Sequence, residues 1–401
     1  MRVLVVTNHF FPENFRCNDL AFELQKRGHD VTVLTAIPDY PDGHYFKGYG
    51  LFKKRIERIN GVKVVRAFVI PRGKGGGLRL MLNYASVFIS QSIDSIFMAL
   101  TNQYDVVVVH ETSPVTVGIP AVFAKRIKRI PLYFWVLDLW PESLKDAGGV
   151  SNKTILNIFS NITKWIYKHS DKILISSKGF RQSICEKGDF KDKIVYFPNW
   201  TDSDLMTEKT YTLPAFPEGF RIMFAGNIGE AQDFEHIMKC ALLLHEHKDI
   251  HFLIVGDGRK RQWVDSFVKE NNLTDTVHLV GRHPAYAMPL FFKEADAMLV
   301  TLKDSEIFNL TLPAKVQAYM NSGKPIVAML NGEGQRIIDE SGCGIYCPAS
   351  DSQGLADCIL KMKETDSDVL KEMGCRGKDY ADKYFNLLKC INHLEEIIKD
   401  K

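Results

Sequence analysis

The chain has 401 residues, 45% of them hydrophobic and 25% charged, so it is long enough for two globular domains with apolar cores. Its formal net charge of +3 gives no general signal for nucleic acid, and we expect no nucleic-acid partner. The eight cysteines form no CxxC pair, the N-terminus lacks the apolar core of a signal peptide, and no window reaches about 18 uninterrupted apolar residues. These features predict a reduced, cytoplasmic protein without a membrane-spanning helix.

Strands and helices alternate through the first half of the chain. The predicted strands cover Arg2–Thr7, His29–Thr35, Val62–Phe68, Asp105–Val109 and Pro131–Val136, and the predicted helices cover Asn18–Arg27, Leu78–Thr101 and Val115–Ile127. Near-continuous apolar strands are typical of parallel sheets that are buried on both faces. The first half therefore predicts a doubly wound, Rossmann-like α/β domain.

The second half repeats this alternation after a polar, proline-containing segment, Thr201–Gly219, which indicates a linker. Its predicted strands cover Phe220–Ala225, Ile250–Val255, Val277–Gly281, Ala297–Thr301 and Pro325–Met329, and its predicted helices cover Phe234–His245 and Val264–Asn271. A last helix is expected from about Leu370, with an interruption near Gly377. We predict an N-terminal domain over 1–200, a second domain over 201–379, and residues 380–401 packing back on the first. The two domains are expected to face an interdomain cleft, because α/β sheets bind ligands at the carboxyl ends of their strands.

The segment Phe308–Pro325 predicts a phosphate site. A polar loop leads into a helix that Asn309 and Thr311 are expected to cap, and Lys315 falls near its first turn. A helix N-terminus offers unpaired N–H groups and partial positive charge to an anion, and a lysine adds a full charge. The alternative is an ordinary capped surface helix.

A basic cluster precedes the long apolar helix of the first half. It comprises Lys53, Lys54, Arg55, Arg58, Arg72, Lys74 and Arg79. Such a cluster suits phosphates or an acidic membrane surface, although many charge clusters are only solvated faces. The helix Leu78–Thr101 is predicted as mostly a core helix, with a peripheral membrane anchor as the alternative.

The order of motifs along nearly the whole chain resembles the retaining glycosyltransferases of family GT4, which have the GT-B fold. The matching strings are RGHDV at 27–31, FAGNIG at 224–229, VGDG at 255–258, and YM at 319–320 followed by GKPIV at 323–327. The strings FPENFRCNDLA, PDYPDGHYFKGYG, LDLWPESL, GNIGEAQDF and LPAKVQAYM are similar to a bacterial surface-polysaccharide subgroup. That subgroup includes O-antigen and capsule transferases of N-acetyl-L-fucosamine type.

The chain departs from the family pattern at the donor site. The two glutamates usual in the family would fall at Leu310 and Ala318, and neither position is acidic. Gln317 is the candidate substitute for the ribose-binding carboxylate. Asn227 and Gln232 stand where the family usually has an arginine and a lysine, which leaves Lys315, the helix N-terminus or Arg16 to hold the diphosphate charge.

The resemblance and the strand-end positions together give the candidate site residues. The catalytic candidates are His110, Lys315 and Asp138. The donor-binding candidates are Gly226, Asn227, Gln232, Asp257, Arg282, Asn309, Leu310, Thr311 and Gln317. The acceptor-binding candidates are Asn14, Arg16, Asp39, Tyr40 and Trp140. The alternatives are a structural histidine at His110, and a capping carboxylate with a core tryptophan at Asp138 and Trp140.

The resemblance implies transfer of a sugar, with retained anomeric configuration, from a nucleotide diphosphate such as UDP to a lipid-linked saccharide at the inner face of the cytoplasmic membrane. We expect no metal or other cofactor, since protein cations can stabilise the leaving diphosphate. An epimerase of the same fold and a non-catalytic nucleotide-sugar-binding scaffold are the alternatives. An NAD-dependent oxidoreductase is disfavoured by the incomplete glycine fingerprint at 256–258.

Overall fold

The structure is a computed structural model and describes residues 1–73, 77–146, 149–201 and 210–399. The chain divides into two units, one of Met1–Pro198 with Cys390–Lys401 and the other of Asn199–Lys389. Each unit is built on one mainly parallel sheet with helices between its strands. The predicted α/β class with two doubly wound, Rossmann-like sheets is confirmed. Lys74 and most of the predicted linker, residues 202–209, lie outside the described residues.

The sheet of the first unit has the strand order β3-β4-β2-β1-β5-β6-β7-β8. Its strands are β1 (Arg2–Thr7), β2 (Asp30–Ala36), β3 (Ile56–Ile59), β4 (Val62–Ala67), β5 (Val106–Glu111), β6 (Leu132–Val136), β7 (Lys172–Ile175) and β8 (Ile194–Tyr196). All pairs are parallel except β3 with β4, where the edge strand β3 alternates between exposed and half-buried residues. The order reverses between β1 and β5, whose carboxyl ends meet at the pair Thr7 and His110. Such a reversal opens a crevice at the carboxyl end of a sheet.

Seven helices of the described chain complete this unit. They are α1 (Arg16–Lys26), α2 (Gly77–Thr101), α3 (Gly118–Lys128), α4 (Glu142–Asp146), α5 (Lys153–His169), α6 (Phe180–Glu186) and the C-terminal α15 (Leu387–Lys399). The last helix is held by His29, whose Nε2 lies 2.7 Å from Glu395 Oε1, and by the Tyr133 hydroxyl, which donates to the Ile397 carbonyl at 3.3 Å. From Cys390 onward the C-terminal helix belongs to the first unit, whereas residues 380–389 belong to the second unit.

The sheet of the second unit is wholly parallel, with the order β11-β10-β9-β12-β13-β14. Its strands are β9 (Phe220–Ala225), β10 (Ile250–Val255), β11 (Val277–Gly281), β12 (Ala297–Thr301), β13 (Ile326–Met329) and β14 (Gly344–Cys347). Along β9, Ile222 and Phe224 enter one core while Met223 and Ala225 enter the other, as the two-residue period of a strand requires. The order reverses between β9 and β12, so the ligand crevice of this sheet is expected there.

The helices of the second unit lie between these strands. They are α7 (Phe234–Leu243), α8 (Arg261–Glu270), α9 (Met288–Lys293), α10 (Glu306–Leu310), α11 (Ala314–Ser322), α12 (Gly332–Ser341), α13 (Ser352–Glu364) and α14 (Ser367–Tyr384). The predicted interruption near Gly377 is wrong, because the helix breaks between Tyr384 and Leu387 instead. A Cβ at Gly377 would lie 2.9 Å from the Cβ of Cys343, so this glycine allows close packing of α14.

Helix α2 is not the core helix that the sequence predicted. Its buried face carries Asn83, Gln91 and Ser95, which bond backbone carbonyls of neighbouring elements. Most of its exposed residues are apolar, with Ile93 62% and Phe97 66% exposed. No helix in the described part of the chain combines the length and the apolar character needed to cross a membrane.

Candidate active site

Glycines line the crevice at the carboxyl ends of β9 and β10. A Cβ at Gly256 would lie 1.9 Å from the Gly226 carbonyl oxygen, and a Cβ at Gly258 would lie 2.3 Å from the Ile228 carbonyl oxygen. Gly226 and Gly256 both have φ near +142°, a conformation that side chains disfavour. The bare glycines therefore let the two loops pack backbone to backbone. Glycine-rich loops at the carboxyl ends of parallel strands are typical of sites for phosphate-bearing molecules.

Lys315 enters this crevice from the first turn of α11. A Cβ at Gly226 would lie 2.7 Å from Lys315 Cε, so the bare glycine makes room for the lysine. The Lys315 ammonium lies 4.0 Å from the centre of the Phe224 ring. Within the described part of the chain it makes no ion pair or hydrogen bond, and burial lowers its pKa to about 7. A cation without an internal counter-ion is available to an anionic ligand.

The predicted caps of this helix are wrong. The N-cap of α11 is Pro313, and no side chain caps it. Asn309 instead lies in the short helix α10, and its amide donates to Asp304 Oδ1 at 2.9 Å. The Thr311 hydroxyl donates back to the Ile307 carbonyl at 2.7 Å. The polar loop therefore forms an extra helical turn, which satisfies these side chains locally.

Asn227 and Gln232 lie together on the loop after β9. A Cβ at Gly229 would lie 2.5 Å from Asn227 Nδ2 and 3.3 Å from Gln232 Oε1. Asn227 is exposed, whereas Gln232 Oε1 is buried and has no hydrogen-bond partner. A buried acceptor without a donor is costly, so this oxygen suits an O–H or N–H of a bound molecule.

The remaining donor-binding candidates differ in their surroundings. Asp257 is exposed and its Oδ1 accepts from the Gly258 N–H at 2.8 Å. Arg282 is exposed directly after β11, and Leu310 ends α10. Gln317 is buried, and its amide donates to the Asn199 carbonyl at 2.7 Å. Gln317 thus has a structural partner already, and its predicted ribose contact stays a prediction.

His110 is the last residue but one of β5 in the first unit. It is 1% exposed, its Nδ1 lies 3.3 Å from the Thr7 hydroxyl, and its ring meets Trp135 edge-on at 5.2 Å. Burial lowers its pKa to about 3, and the nearby positive charge of Arg16 acts in the same direction. The imidazole is therefore neutral at physiological pH, and its buried Nε2 has no partner.

Glu111 is a residue that the sequence reasoning missed. It is fully buried, and its Oε2 accepts from the backbone N–H groups of Leu137 and Asp138 at 3.0 and 3.1 Å. Burial raises its pKa well above the ordinary glutamate value. Glu111 thereby positions the loop after β6. Its place beside His110 at a strand end was the available signal.

Asp138 and Trp140 lie on that loop and meet at Ser113. The Ser113 hydroxyl donates to Asp138 Oδ2 at 2.8 Å, and the Trp140 indole N–H donates to the Ser113 oxygen at 3.2 Å. Trp140 is only 3% exposed and packs on Phe159 at 5.1 Å. The prediction that Trp140 stacks on an acceptor sugar is therefore wrong, because its ring is internal. Asp138 stays half-buried and accessible.

His9 and Glu13 form a second group that the sequence reasoning missed. Glu13 Oε1 accepts from the backbone N–H groups of Asp39 and Tyr40 at 3.0 and 2.7 Å, and Glu13 Oε2 lies 3.0 Å from His9 Nδ1. All three side chains of His9, Glu13 and Asp39 are buried. His9 lies just after the carboxyl end of β1. The reasoning that made His110 a candidate, its position at the end of a strand, therefore applies to His9 as well.

The acceptor-binding candidates Asn14, Arg16, Asp39 and Tyr40 surround this group. Asn14 and Tyr40 are exposed, Arg16 is half-buried at the start of α1, and Asp39 is buried. Ligand-type atoms of His9, Glu13 and Asp39 lie within 4.8 Å of one another, as in a metal site. However, Arg72 Nη2 lies 2.9 Å from His9 Nε2, and its positive charge opposes a second cation there.

Both halves of the chain match known glycosyltransferases. The profile described as glycosyl transferase 4-like domain matches residues 14–200, and the profile described as glycosyl transferases group 1 matches residues 219–364. With the two Rossmann-like sheets, these matches place the chain among the glycosyltransferases of GT-B fold.

Individual relatives agree with this class. WbjE of Pseudomonas aeruginosa, named as a glycosyltransferase, is 31% identical over 58% of this chain, and the match spans 60% of the length of WbjE. WcaI of Escherichia coli K12, named as a colanic acid biosynthesis glycosyl transferase, is 22% identical over 79% of this chain and 80% of its own. The Anabaena protein Alr3699/HepE, solved in complex with UDP and glucose, superposes with a TM-score of 0.68 at 14% identity and covers 100% of both chains. This last likeness concerns the fold.

Proposed function

We propose that this protein transfers a sugar from a UDP-linked donor to a saccharide acceptor in the synthesis of a bacterial surface polysaccharide, with retention of anomeric configuration. The carrying observation is the glycine-lined crevice of the second unit, where the Lys315 ammonium lies without an internal counter-ion. Charge develops on the diphosphate as the glycosidic bond breaks, and a preorganised cation stabilises it. The UDP-bound Anabaena neighbour and the colanic acid relative support the donor and the pathway class.

The finer assignments are part of the same proposal. The donor sugar is N-acetyl-L-fucosamine or a related amino or deoxy sugar, and the product is an O-antigen or capsule repeat. The support is the similarity of five sequence strings, among them LPAKVQAYM around Lys315, to transferases of that type. No metal is needed, because Lys315 supplies the positive charge that a metal otherwise brings.

The acceptor is proposed to be linked to a lipid, so that the enzyme works at the inner face of the cytoplasmic membrane. The support is the outer face of α2, the apolar face, formed by Leu78, Met81, Leu82, Ile89, Ile93, Ile96, Phe97 and Leu100, all of them exposed. The loop before β3 adds Phe52, which is 97% exposed, and the exposed Lys53 and Lys54. Arg55 of the same segment lies 3.7 Å from Asp94 of α2, so the loop and the helix are neighbours.

Apolar residues beside lysines suit an anionic bilayer surface better than a neutral one. Apolar side chains enter the boundary between headgroups and acyl chains, and each basic residue near an anionic surface contributes about 1 kcal/mol. A second copy of the chain would also cover the apolar face, but it would not need the lysines. The charge therefore favours the membrane as the occupant.

The donor is tested by incubating the protein with UDP-, GDP- and dTDP-sugars and measuring its melting temperature. A bound ligand stabilises the native state, so UDP-sugars should raise the melting temperature most. The best donor is then incubated alone and with a lipid-linked saccharide. Transfer only with the acceptor supports the proposal, whereas an epimer formed from the donor alone, or binding without turnover, contradicts it.

Membrane association is tested by sedimentation with vesicles of phosphatidylglycerol and phosphatidylethanolamine. Ile93→Ser with Phe97→Ser should abolish binding, and Lys53→Ala with Lys54→Ala should weaken it on the order of tenfold at low salt. Val369→Ser, which changes an exposed apolar residue of α14, is the control and should bind normally. Equal binding of all variants contradicts the proposal, as does a dimer that is lost in the α2 variant with no vesicle binding by the wild type.

A further inference from the structure

Arg72 is a cation of the first unit that pairs with no carboxylate of the described chain. Its guanidinium lies between two aromatic rings, 5.3 Å from the centre of Tyr40 and 5.6 Å from the centre of Tyr84. Its Nη2 lies 2.9 Å from His9 Nε2. Arginines held by rings keep their planar fork free for oxyanions, which they bind in bidentate fashion.

The neighbouring carboxylate of Asp39 does not neutralise this cation directly. Asp39 Oδ2 accepts from the backbone N–H of Arg72 at 2.9 Å and from the Asn83 amide at 3.1 Å. Burial raises the pKa of Asp39, with nearby positive charge acting in the other direction. The carboxyl group therefore fixes the backbone at Arg72, and the guanidinium stays without an ion pair.

His9 holds the guanidinium in place through Glu13. The Glu13 carboxylate accepts from His9 Nδ1 at 3.0 Å, and this assignment leaves Nε2 as an acceptor for Arg72. The His9 ring also stacks on Phe15, with centroids 4.7 Å apart and planes 11° apart. A buried pair of side chains is thus arranged to orient one arginine.

The orientation leaves part of the guanidinium unsatisfied. Arg72 Nε is buried and has no hydrogen-bond partner. Arg72 lines a small cavity together with Asn8, Asn83 and Tyr84. A buried N–H of a charged group without an acceptor is costly, so the site gains when an anionic oxygen arrives.

We propose that Arg72 is the centre of an anion site in the first unit, built by His9, Tyr40 and Tyr84, which binds a phosphate or diphosphate group. This inference deepens the proposed function and rests on it in one respect, since the natural source of the group would be the lipid-linked acceptor. The phosphate chemistry itself follows from the positive charge of the guanidinium and from its Nε–H, which has no partner. Arg72 here binds and positions the ligand and takes no part in bond breaking.

The test measures the affinity of the full-length protein for farnesyl diphosphate, farnesol and inorganic pyrophosphate by calorimetry, with UDP saturating the second unit. Arg72→Met should weaken farnesyl diphosphate binding about tenfold or more, because it removes charge-assisted hydrogen bonds. Arg181→Met is the matched control. Arg181 is exposed on α6 of the same unit and the variant loses the same charge, so its affinity should change less than about threefold. Circular dichroism and UDP affinity should be unchanged in both variants.

The three ligands and the two variants distinguish a lipid source of the phosphate from a free one, and a failed Arg72 site from a failed donor site. Binding of both pyrophosphate and farnesyl diphosphate through Arg72 supports a phosphate site, and binding of the lipid form alone, also through Arg72, supports it with a lipid source. Equal affinity for farnesol, equal affinity of wild type and Arg72→Met, or an equal loss in Arg181→Met overturns it. If Arg72→Met does not fold, Arg72→Lys decides, since it keeps the charge and loses the planar fork. UDP affinity is measured first, so a failed donor site is distinguished from a failed Arg72 site.

Discussion

The carboxyl ends of the two sheets carry different kinds of residues. In the second unit the crevice is lined by glycine backbone, and Lys315 is the catalytic candidate within it. In the first unit the corresponding region is packed with titratable side chains that bond one another, such as His9 with Glu13 and Asp39 with Asn83. The second unit offers glycine-rich loops and the Lys315 charge, whereas the first unit offers the Arg72 charge within a fixed side-chain network.

The difference follows from what each end is proposed to bind. A diphosphate is the same in every nucleotide donor, so one preorganised cation such as Lys315 can serve every donor. Acceptor saccharides differ in the positions of their hydroxyls, and side-chain networks can discriminate among them because an unpaired buried partner is costly. A substitution at the donor site of the second unit should therefore lower transfer to every acceptor. A substitution in the first unit should instead change which acceptors are used.

The largest effect is expected from Lys315→Ala. Loss of the only cation proposed to face the diphosphate should lower the rate of sugar transfer about 100- to 1000-fold, with little change in melting temperature. Lys315→Arg is the control and should keep part of the rate. Transfer at the wild-type rate by Lys315→Ala would contradict the assignment of Lys315 to the diphosphate, and with it the proposed difference between the carboxyl ends of the two sheets.

A smaller effect is expected from Gly226→Ala. The added Cβ meets Lys315 Cε at 2.7 Å in a backbone of φ +142°, so UDP affinity should fall roughly tenfold or more. Gly28→Ala is the matched control, because Gly28 also has positive φ but no atom within 4 Å of the added Cβ. The control should lose stability only, about 1–2 kcal/mol, and keep its UDP affinity. A control that loses affinity equally would point to general destabilisation.

The next effect in size is expected from a change of pH on UDP affinity. The pKa of Lys315 in the donor-free protein is about 7, below its ordinary value of 10.5, and a bound diphosphate should raise it. Binding then takes up a proton above pH 7, so affinity is highest near or below pH 7 and falls as pH rises, by at most about tenfold per unit. Calorimetry of UDP binding at pH 8 in buffers of different ionisation enthalpy measures this uptake. Lys315→Met should show none, and uptake by that variant would assign the proton to another group.

A smaller effect still is expected from titration of His110. Burial and nearby positive charge hold the pKa of His110 at about 3, so its ring should stay neutral from pH 5 to pH 8. Its NMR signals should not shift over this range, and the transfer rate should show no step from it. A titration near pH 6.5 would mean that the first unit opens to solvent in solution.

Chelation should have no effect on transfer. If Lys315 rather than a metal stabilises the diphosphate, an excess of EDTA leaves the rate unchanged within about twofold. Magnesium added back serves as the comparison. A rate that disappears with EDTA and returns with magnesium contradicts the metal-free mechanism.

The sequence predicted the fold well because buried parallel strands are visible in a sequence as apolar runs, as in β5 and β10. It also placed Lys315 correctly in the first turn of α11. It failed where a side chain had two uses. Thr311 is polar enough to cap a helix, yet it bonds the preceding turn, and Trp140 can stack on a sugar, yet it fills a core. Only the tertiary contacts decide such cases.

The sequence also failed at α2, since periodicity reports that a helix has two faces but not which one is buried. The buried face of α2 combines apolar residues such as Val87 and Met98 with Asn83 and Gln91, which satisfy backbone carbonyls there. A hydrophobic pattern alone assigns the apolar face to the core by default.

This inverted helix has a consequence for protein engineering. Because the bonds of Asn83, Gln91 and Ser95 fix the rotation of α2 about its axis, the helix cannot turn its leucines and isoleucines inward without losing them. A redesign for solubility would replace those outward residues first, and the purified protein would be expected to improve in yield. The same redesign would remove the apolar face that is proposed to enter the membrane surface.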